Sequence, residues 1–300
     1  MMNVSRSSRD GFVLFSVIWI AGLLAVISTT FAISTRLHVK SQANLTYAYQ
    51  VEVLADGMVR AIGHQLAQMR PSDTRQVLLP ASGQAVSCAV DENIQAVIVL
   101  QDQAGLIDLN QTSPAVLTGV LSRLGVAQAE QVSEAIVDFR DQDETRFDGG
   151  GEEIGLVAHG PGLKNAAFQS IDEMAQAIPE TLADLSELES LFTVYSLQEG
   201  IDPSVAPEKL RGLVEVSPSS AAENGRLPTT LSPRKAFAID VKVKLASGIA
   251  FRRVAVITLL RLPERPFAIL EWRQSSDVDA ERPAVLISGP CATFLGHSLE

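Results

Sequence analysis

The stretch FVLFSVIWIAGLLAVISTTFAI, Phe12 to Ile33, runs for 22 residues without a charge. As a helix rising about 1.5 Å per residue it spans about 33 Å, enough to cross the hydrocarbon core of a bilayer. Arg6 and Arg9 precede it within an 11-residue polar leader. Basic residues on this short flank predict that the N-terminal end stays in the cytoplasm and that the rest of the chain faces the other compartment. A cleaved secretory signal has a shorter apolar core and a small-residue cleavage site, whereas this core is long and runs into Ser28, Thr29 and Thr30. A plain membrane anchor fits as well. The junction Arg9-Asp10-Gly11, with Phe12 opening the apolar run, admits a third reading, on which the rest of the chain decides.

The helical pattern does not stop at the membrane. Leu54, Met58, Ile62 and Leu66 recur at i, i+4, with Glu52, Asp56, Arg60 and Gln65 at other positions, the mark of an amphipathic helix. No Pro or Gly falls between Arg36 and Gln50, so the spacing predicts one helix from about Phe12 to Met69, stopped by Pro71. A generic anchor reaches its domain through a flexible linker, and none is visible.

Beyond this helix, Gln84–Val90 and Ile94–Leu100 read as strands joined by the turn Asp91-Glu92-Asn93. Helical patterns follow over Pro114–Leu124, Gln128–Phe139, Ser170–Ile178, Thr181–Leu191 and Pro203–Val214. Strands return as Ala236–Leu245, Ile249–Leu259 and Phe267–Trp272, the first two alternating as a half-exposed antiparallel sheet does. The fold class expected is α+β: a long N-terminal helix plus an antiparallel sheet, with an α-helical domain inserted in the sheet. The expected divisions are a leader over 1–11, a membrane helix over 12–33, the amphipathic helix and first strands over 34–104, the insertion over 105–233, the remaining sheet over 234–273, and a tail over 274–300 with no assigned structure.

The net charge of −11 argues against nucleic acid as the main partner, because phosphate binding needs Lys and Arg. The two cysteines, Cys88 and Cys291, are too far apart for a CxxC motif. Outside the cytoplasm they either pair, tying the tail to an early strand, or stay as two buried thiols. The four histidines are scattered and no GxSxG or HExxH occurs, so no enzyme signature is present.

Taken in order, several segments resemble the type II secretion minor pseudopilin K family (general secretion pathway protein K). They are Gly11-Phe12 with the long helix, LADGMVRAI at 54–62, GLIDLN at 105–110 and AIVDFRDQDE at 135–144. GGGEE at 149–153, SIDEM at 170–174, TVYS at 193–196 and LEWR at 270–273 complete the set. Each is weak alone; their order and spacing together are specific. The resemblance implies a pilin-like fold carrying a helical insertion, and a subunit at the tip of a periplasmic pseudopilus. It implies cleavage by a prepilin peptidase after Gly11 with methylation of Phe12, and assembly with minor pseudopilins I and J. The chain would cross the inner membrane once, with its bulk periplasmic. The fifth residue after the cut is Ser16, where most pilin-like subunits carry a Glu that pairs with a neighbour's terminal amine; the K family lacks that Glu, as suits a subunit with no neighbour ahead of it. A lone carboxylate there would cost at least about 2.5 kcal/mol in lipid.

The family also binds calcium in its helical domain, and the segment from Asp138 to Glu153 is rich in the oxygen donors that hard cations take. Asp141, Asp143, Thr145 and Glu152 fall at positions 1, 3, 5 and 12 of an EF-hand-like count, but position 6 is Arg146 rather than Gly. The ligand pool is Asp141, Asp143, Asp148, Glu152 and Glu153; an exposed acidic loop is the plainer alternative. A rival class is a DNA-binding helix-hairpin-helix, which Asp108–Asp141 also resembles. Between Gly105 and Ala175, however, 12 acidic residues face 4 basic ones. A tip pilin of a type IV pilus and a generic anchored periplasmic binding domain remain as alternatives.

Overall fold

The computed structural model describes residues 10–69, 79–141, 164–178, 188, 190–214, 227–275 and 284–291. Helix α1 is unbroken from Asp10 to Gln68, close to the expected Phe12–Met69. The chain divides into two units at Val51, and each is taken by itself.

In the first unit α1 is exposed along its whole apolar run. In the second, α1 from Glu52 onward buries Ala55, Met58, Val59, Ile62 and Leu66. These positions recur every three or four residues, so they line one face. That face lies against a six-stranded sheet of order β7-β6-β5-β2-β1-β8. The strands are β1 (Ser82–Ala89), β2 (Ile94–Asp102), β5 (Ala236–Leu245), β6 (Ala250–Leu259), β7 (Phe267–Gln274) and β8 (Val285–Pro290). β3 (Ile107–Asp108) and β4 (Phe192–Thr193) form a separate two-stranded parallel pair.

Register explains which residues the sheet turns toward α1. Ile98 pairs with Val241, and Val241 with Arg253; Leu100 pairs with Ile239, and Ile239 with Ala255. With side chains alternating at period two, these residues share one face, and all are buried. Gly63 lets helix and sheet approach closely: a Cβ there would stand 3.1 Å from Phe267 and 3.2 Å from Ile257. Into this apolar contact the sheet inserts one cation. Arg253 donates to Asp56 at 2.6 Å and to Glu52 at 3.2 Å. Its guanidinium also lies 4.8 Å from the Phe251 ring centre and 5.1 Å from that of Trp272, and Arg60 covers Trp272 at 5.3 Å. Only 9% of its side chain meets solvent.

β2 and β5 are adjacent antiparallel partners over their full lengths, yet the chain between them runs from residue 103 to 235. This is the insertion. α2 (Pro114–Arg123) and α3 (Ala129–Arg140) form its hairpin. They build a second core from Leu117, Val120, Leu121, Val132, Ile136 and Phe139 with Ile107, Leu109 and Met174.

Two expectations are corrected. Pro203–Val214 is helical only over Glu208–Arg211: Asp202 accepts from Ser204 N and Oγ at 2.9 and 2.6 Å, holding a turn instead, and Pro207 then caps the short helix. Ser170–Ile178 is a 3-10 turn followed by a single α turn, Met174–Ala177. The C-terminal stretch, left unassigned from sequence, contributes β8, which runs parallel to β1. Cys291 directly follows β8 and is disulfide-bonded to Cys88 on β1, across 203 residues of chain; Cys291 N also donates to Ala89 O at 2.8 Å. Thr181–Leu191 lies largely outside the described residues.

Two stability outcomes follow. Arg253→Ala leaves Asp56 without its buried partner and removes the cation between two rings, so denaturant unfolding should show a loss of about 2–4 kcal/mol, with Arg253→Lys recovering only part because an ammonium cannot fork between two carboxylates. Replacing Cys88 and Cys291 together by Ser should lower stability by about 2–4 kcal/mol and raise hydrogen exchange selectively in β8, whose only described neighbour is β1; unchanged β8 protection would show that the ladder holds without the bond.

Candidate functional site

Three regions carry the expected chemistry. In the first unit, Phe12–Ile33 keeps its large apolar side chains outward, Phe12 among them. Three of its hydroxyls bond within the helix. Ser16 Oγ donates to Phe12 O at 2.6 Å, Thr29 to Ala25 O and Thr30 to Val26 O at 2.8 Å each. In lipid a polar group needs an internal partner, and i−4 back-bonding supplies it for these three. By length and composition this is a helix able to cross a membrane. Gly11 and Phe12 sit in its first turn.

The second region is the acidic segment. Asp141 closes α3, its N–H donating to Val137 O at 2.9 Å. Asp143, Asp148, Glu152 and Glu153 lie outside the described residues. Among the described residues no group of three or more metal-ligating side chains converges. Arg140, just before Asp141, turns inward and donates to the carbonyls of Leu109 and, at 2.7 Å, Thr112. Burial lowers its pKa, opposed by the nearby Asp108 and Asp141 carboxylates. This cation is thus taken up by the backbone that leads into α2.

The third region is the frame of the insertion, where GLIDLN and TVYS meet. β3 pairs with β4, and the Asp108 carboxylate accepts from Asn110 N at 2.8 Å, Ser196 Oγ at 3.0 Å and Leu197 N at 2.8 Å. Asn110 clamps Phe168 from both sides, donating to its carbonyl at 2.9 Å and accepting its N–H at 2.8 Å. Where the chain enters and leaves the sheet, Asp102 accepts from Ala104 N at 3.0 Å and Ser232 Oγ at 2.6 Å. Asp202 accepts Ser232 N at 2.8 Å. Burial raises the pKa of Asp102, and those hydrogen bonds oppose it. Sequence reading did not single out Asp102, Asp202 or Ser232. Asp102 and Asp202 each carry a local signal, a carboxylate accepting the N–H two residues on; nothing local joins Ser232 to Asp102 across 130 positions.

The insertion also meets the sheet through LEWR. Trp272 pairs with Ala255 and turns toward α1; Glu271 and Arg273 point to the opposite face. There Ser170 Oγ donates to Glu271 at 3.5 Å and Arg273 lies 3.6 Å from Asp172. Tyr195 OH donates to Gln169 O at 3.3 Å. Burial raises the Glu271 pKa, Asp172 adds to the rise and Arg273 opposes it. Tyr195 is pushed up to about 12 by burial and by Glu271. Burial acts on Glu173 too, but the hydrogen bonds it accepts from Lys164 and Gln169 N outweigh it and its pKa falls.

These two carboxyls therefore respond to acid with opposite sign. Glu271, with its folded pKa above the ordinary 4.5, favours folding most below that value and withdraws that support as pH rises through the folded value. Glu173, lowered, stabilises above 4.5 and loses that contribution as pH falls through its folded pKa. Thermal unfolding against pH should find Glu271→Gln at least as stable as the parent at neutral pH, the difference closing on acidification. Glu173→Gln should be less stable at neutral pH, its deficit shrinking as the parent's own Glu173 protonates.

No protein-family model and no curated protein matches the chain. Among solved structures it is similar to GspK in the GspK-GspI-GspJ complex of the enterotoxigenic Escherichia coli type 2 secretion system. The identity is 17%, the TM-score 0.51, and the likeness covers 81% of this chain and 99% of that one. At this identity the likeness is one of fold, and the fold this chain adopts is that of GspK.

Proposed function

We propose that the chain is a minor pseudopilin of a type II secretion system, the K-type subunit at the tip of a periplasmic pseudopilus. There it nucleates assembly with I- and J-type minor pseudopilins. The observation that carries this reading is the topology: a helical insertion between adjacent strands β2 and β5 of a sheet docked on one long helix. Its nearly complete coverage of GspK, seen in complex with GspI and GspJ, supports the same partners here. Ser16 adds a physical reason for the tip. Its hydroxyl is satisfied by Phe12 O, so it demands no amine from a subunit ahead, as a buried Glu would.

In this reading the leader stays in the cytoplasm and a prepilin peptidase cuts between Gly11 and Phe12. The new terminus is methylated, Phe12–Ile33 stays in the inner membrane, and the bulk lies in the periplasm. The role is assembly rather than catalysis. Asp141, Asp143, Asp148, Glu152 and Glu153 supply carboxylate oxygens of the kind calcium takes, and would hold it in the insertion; when bound, the ion would offset the mutual repulsion of that acidic segment.

Intact mass of the full chain from membranes, with and without a prepilin peptidase, tests the processing on which the role depends. The expected result is loss of Met1–Gly11 and gain of one methyl group only with the peptidase, together with failed protein export when the gene is deleted. Full-length protein in both samples would overturn the pseudopilin reading in favour of a plain anchor; processing with normal export in the deletion strain would assign the chain to a different pilin-type machine.

A further inference from the structure

Two loops at one end of the large sheet combine exposed leucines with unneutralised cations. The β6–β7 turn reads LRLPERP, Leu260 to Pro266, and the segment entering β5 reads LSPRK, Leu231 to Lys235. They are joined: Leu259 N donates to Lys235 O at 2.7 Å, and Arg261 Nη2 to Arg234 O at 3.0 Å. Leu231 is 86% exposed, Leu262 57% and Leu260 38%, with Lys235, Arg261 and Arg265 exposed beside them. Across the two loops four cations face the single carboxylate of Glu264, in a chain of net charge −11. Among the described residues no carboxylate forms an ion pair with Lys235, Arg261 or Arg265.

The backbone here is also unusual. Arg234 and Arg261 sit at φ 49° and 54°, in the left-handed region where glycine is unstrained and other residues are not. The tertiary structure holds both there, and the Arg261–Arg234 hydrogen bond couples them. Strain of this kind gathers where a surface is preorganised for a ligand. Isolated exposed leucines need no explanation; leucines alongside cations on two hydrogen-bonded turns form a strip that is apolar and cationic at once.

We propose that this strip, Leu231, Lys235, Leu260, Arg261, Leu262 and Arg265, binds an acidic segment of another protein in which carboxylates alternate with apolar side chains. Charge complementarity selects the partner. A guanidinium forks onto a carboxylate with two parallel hydrogen bonds, and the leucines cover the apolar residues between. An anionic bilayer fits less well, because the acidic remainder of the chain would be repelled from it, whereas a peptide segment reaches the strip alone. A second copy of this chain brings the same overall negative charge. The inference does not depend on the secretion role.

The test uses the full chain in non-ionic detergent and a short fluorescein-labelled peptide of alternating Glu and Leu, read by anisotropy. Saturable binding is expected, with none for the matching Lys-Leu or Glu-Ser peptides. It should weaken at about 1 M salt, where the screening length falls to about 3 Å. Arg261→Glu combined with Arg265→Glu should weaken it at least about tenfold, and Leu262→Ser should weaken it while leaving thermal unfolding unchanged. Equal binding by the double variant, or no saturable binding by the parent chain, would overturn the proposal. So would binding to phosphatidylglycerol vesicles in place of the peptide, or a change of oligomeric state in the double variant without peptide, which would assign the strip to a membrane or to a second copy.

Discussion

Burying Arg253 under α1 sets a condition on everything around it. A guanidinium removed from water costs several kcal/mol unless its charge and donors are met. Asp56 and Glu52 meet them from the helix, and the faces of Phe251 and Trp272 meet the cation from the sheet. These four partners sit on α1, β6 and β7. A slip of one residue in β6 would turn Arg253 to the other face of the sheet and bring Arg252 under the helix, without Asp240, which it contacts at 2.7–2.9 Å on the opposite face. The ion cluster adds an electrostatic cost to any other register, on top of the apolar pattern.

The insertion is attached by the same economy of polar groups. β2 and β5 continue as neighbours up to Asp102 and Phe237, so the chain leaves and re-enters the sheet at almost one point. Asp102, Ser232 and Asp202 bind entry, exit and an internal loop together at 2.6–2.8 Å. The contacts at LEWR, at 3.5–3.6 Å, are longer and more exposed. The insertion is thus held firmly at its covalent junction and lightly at β7, and β7 divides its residues between two neighbours by the alternation of the strand.

How much of this was legible depended on the range of the interaction. The apolar run at 12–33 and the i, i+4 series through Leu66 are local patterns, and the helix they predict matches α1 within two residues at its start and one at its end. Ala236–Leu245 was legible for the same reason, its alternation being a property of the strand itself. Pro203–Val214 was misread because its apolar spacing ignored the Asp202 turn. GLIDLN, TVYS, SIDEM and LEWR stood out in the sequence, but their roles did not. Asp108 meets Ser196, and Glu271 meets Ser170, across 88 and 101 positions. The acidic ligand pool beyond Asp141 lies outside the described residues, so its reading rests on donor chemistry alone.

By itself, then, the sequence determined the long helix, the α2–α3 hairpin and five of the six strands of the large sheet, that one helix is apolar enough for a bilayer, and that a helical block interrupts a sheet. Periodicity, charge and capping act within a few residues and leave their marks in the order of side chains. Only the tertiary structure decided the strand order, the place of β8 beside β1, the pairing of Arg253 with Asp56, and the meeting of Arg234 with the turn at Arg261. Each joins residues distant in the chain, and its energy exists only once burial has removed the water that would otherwise satisfy both partners.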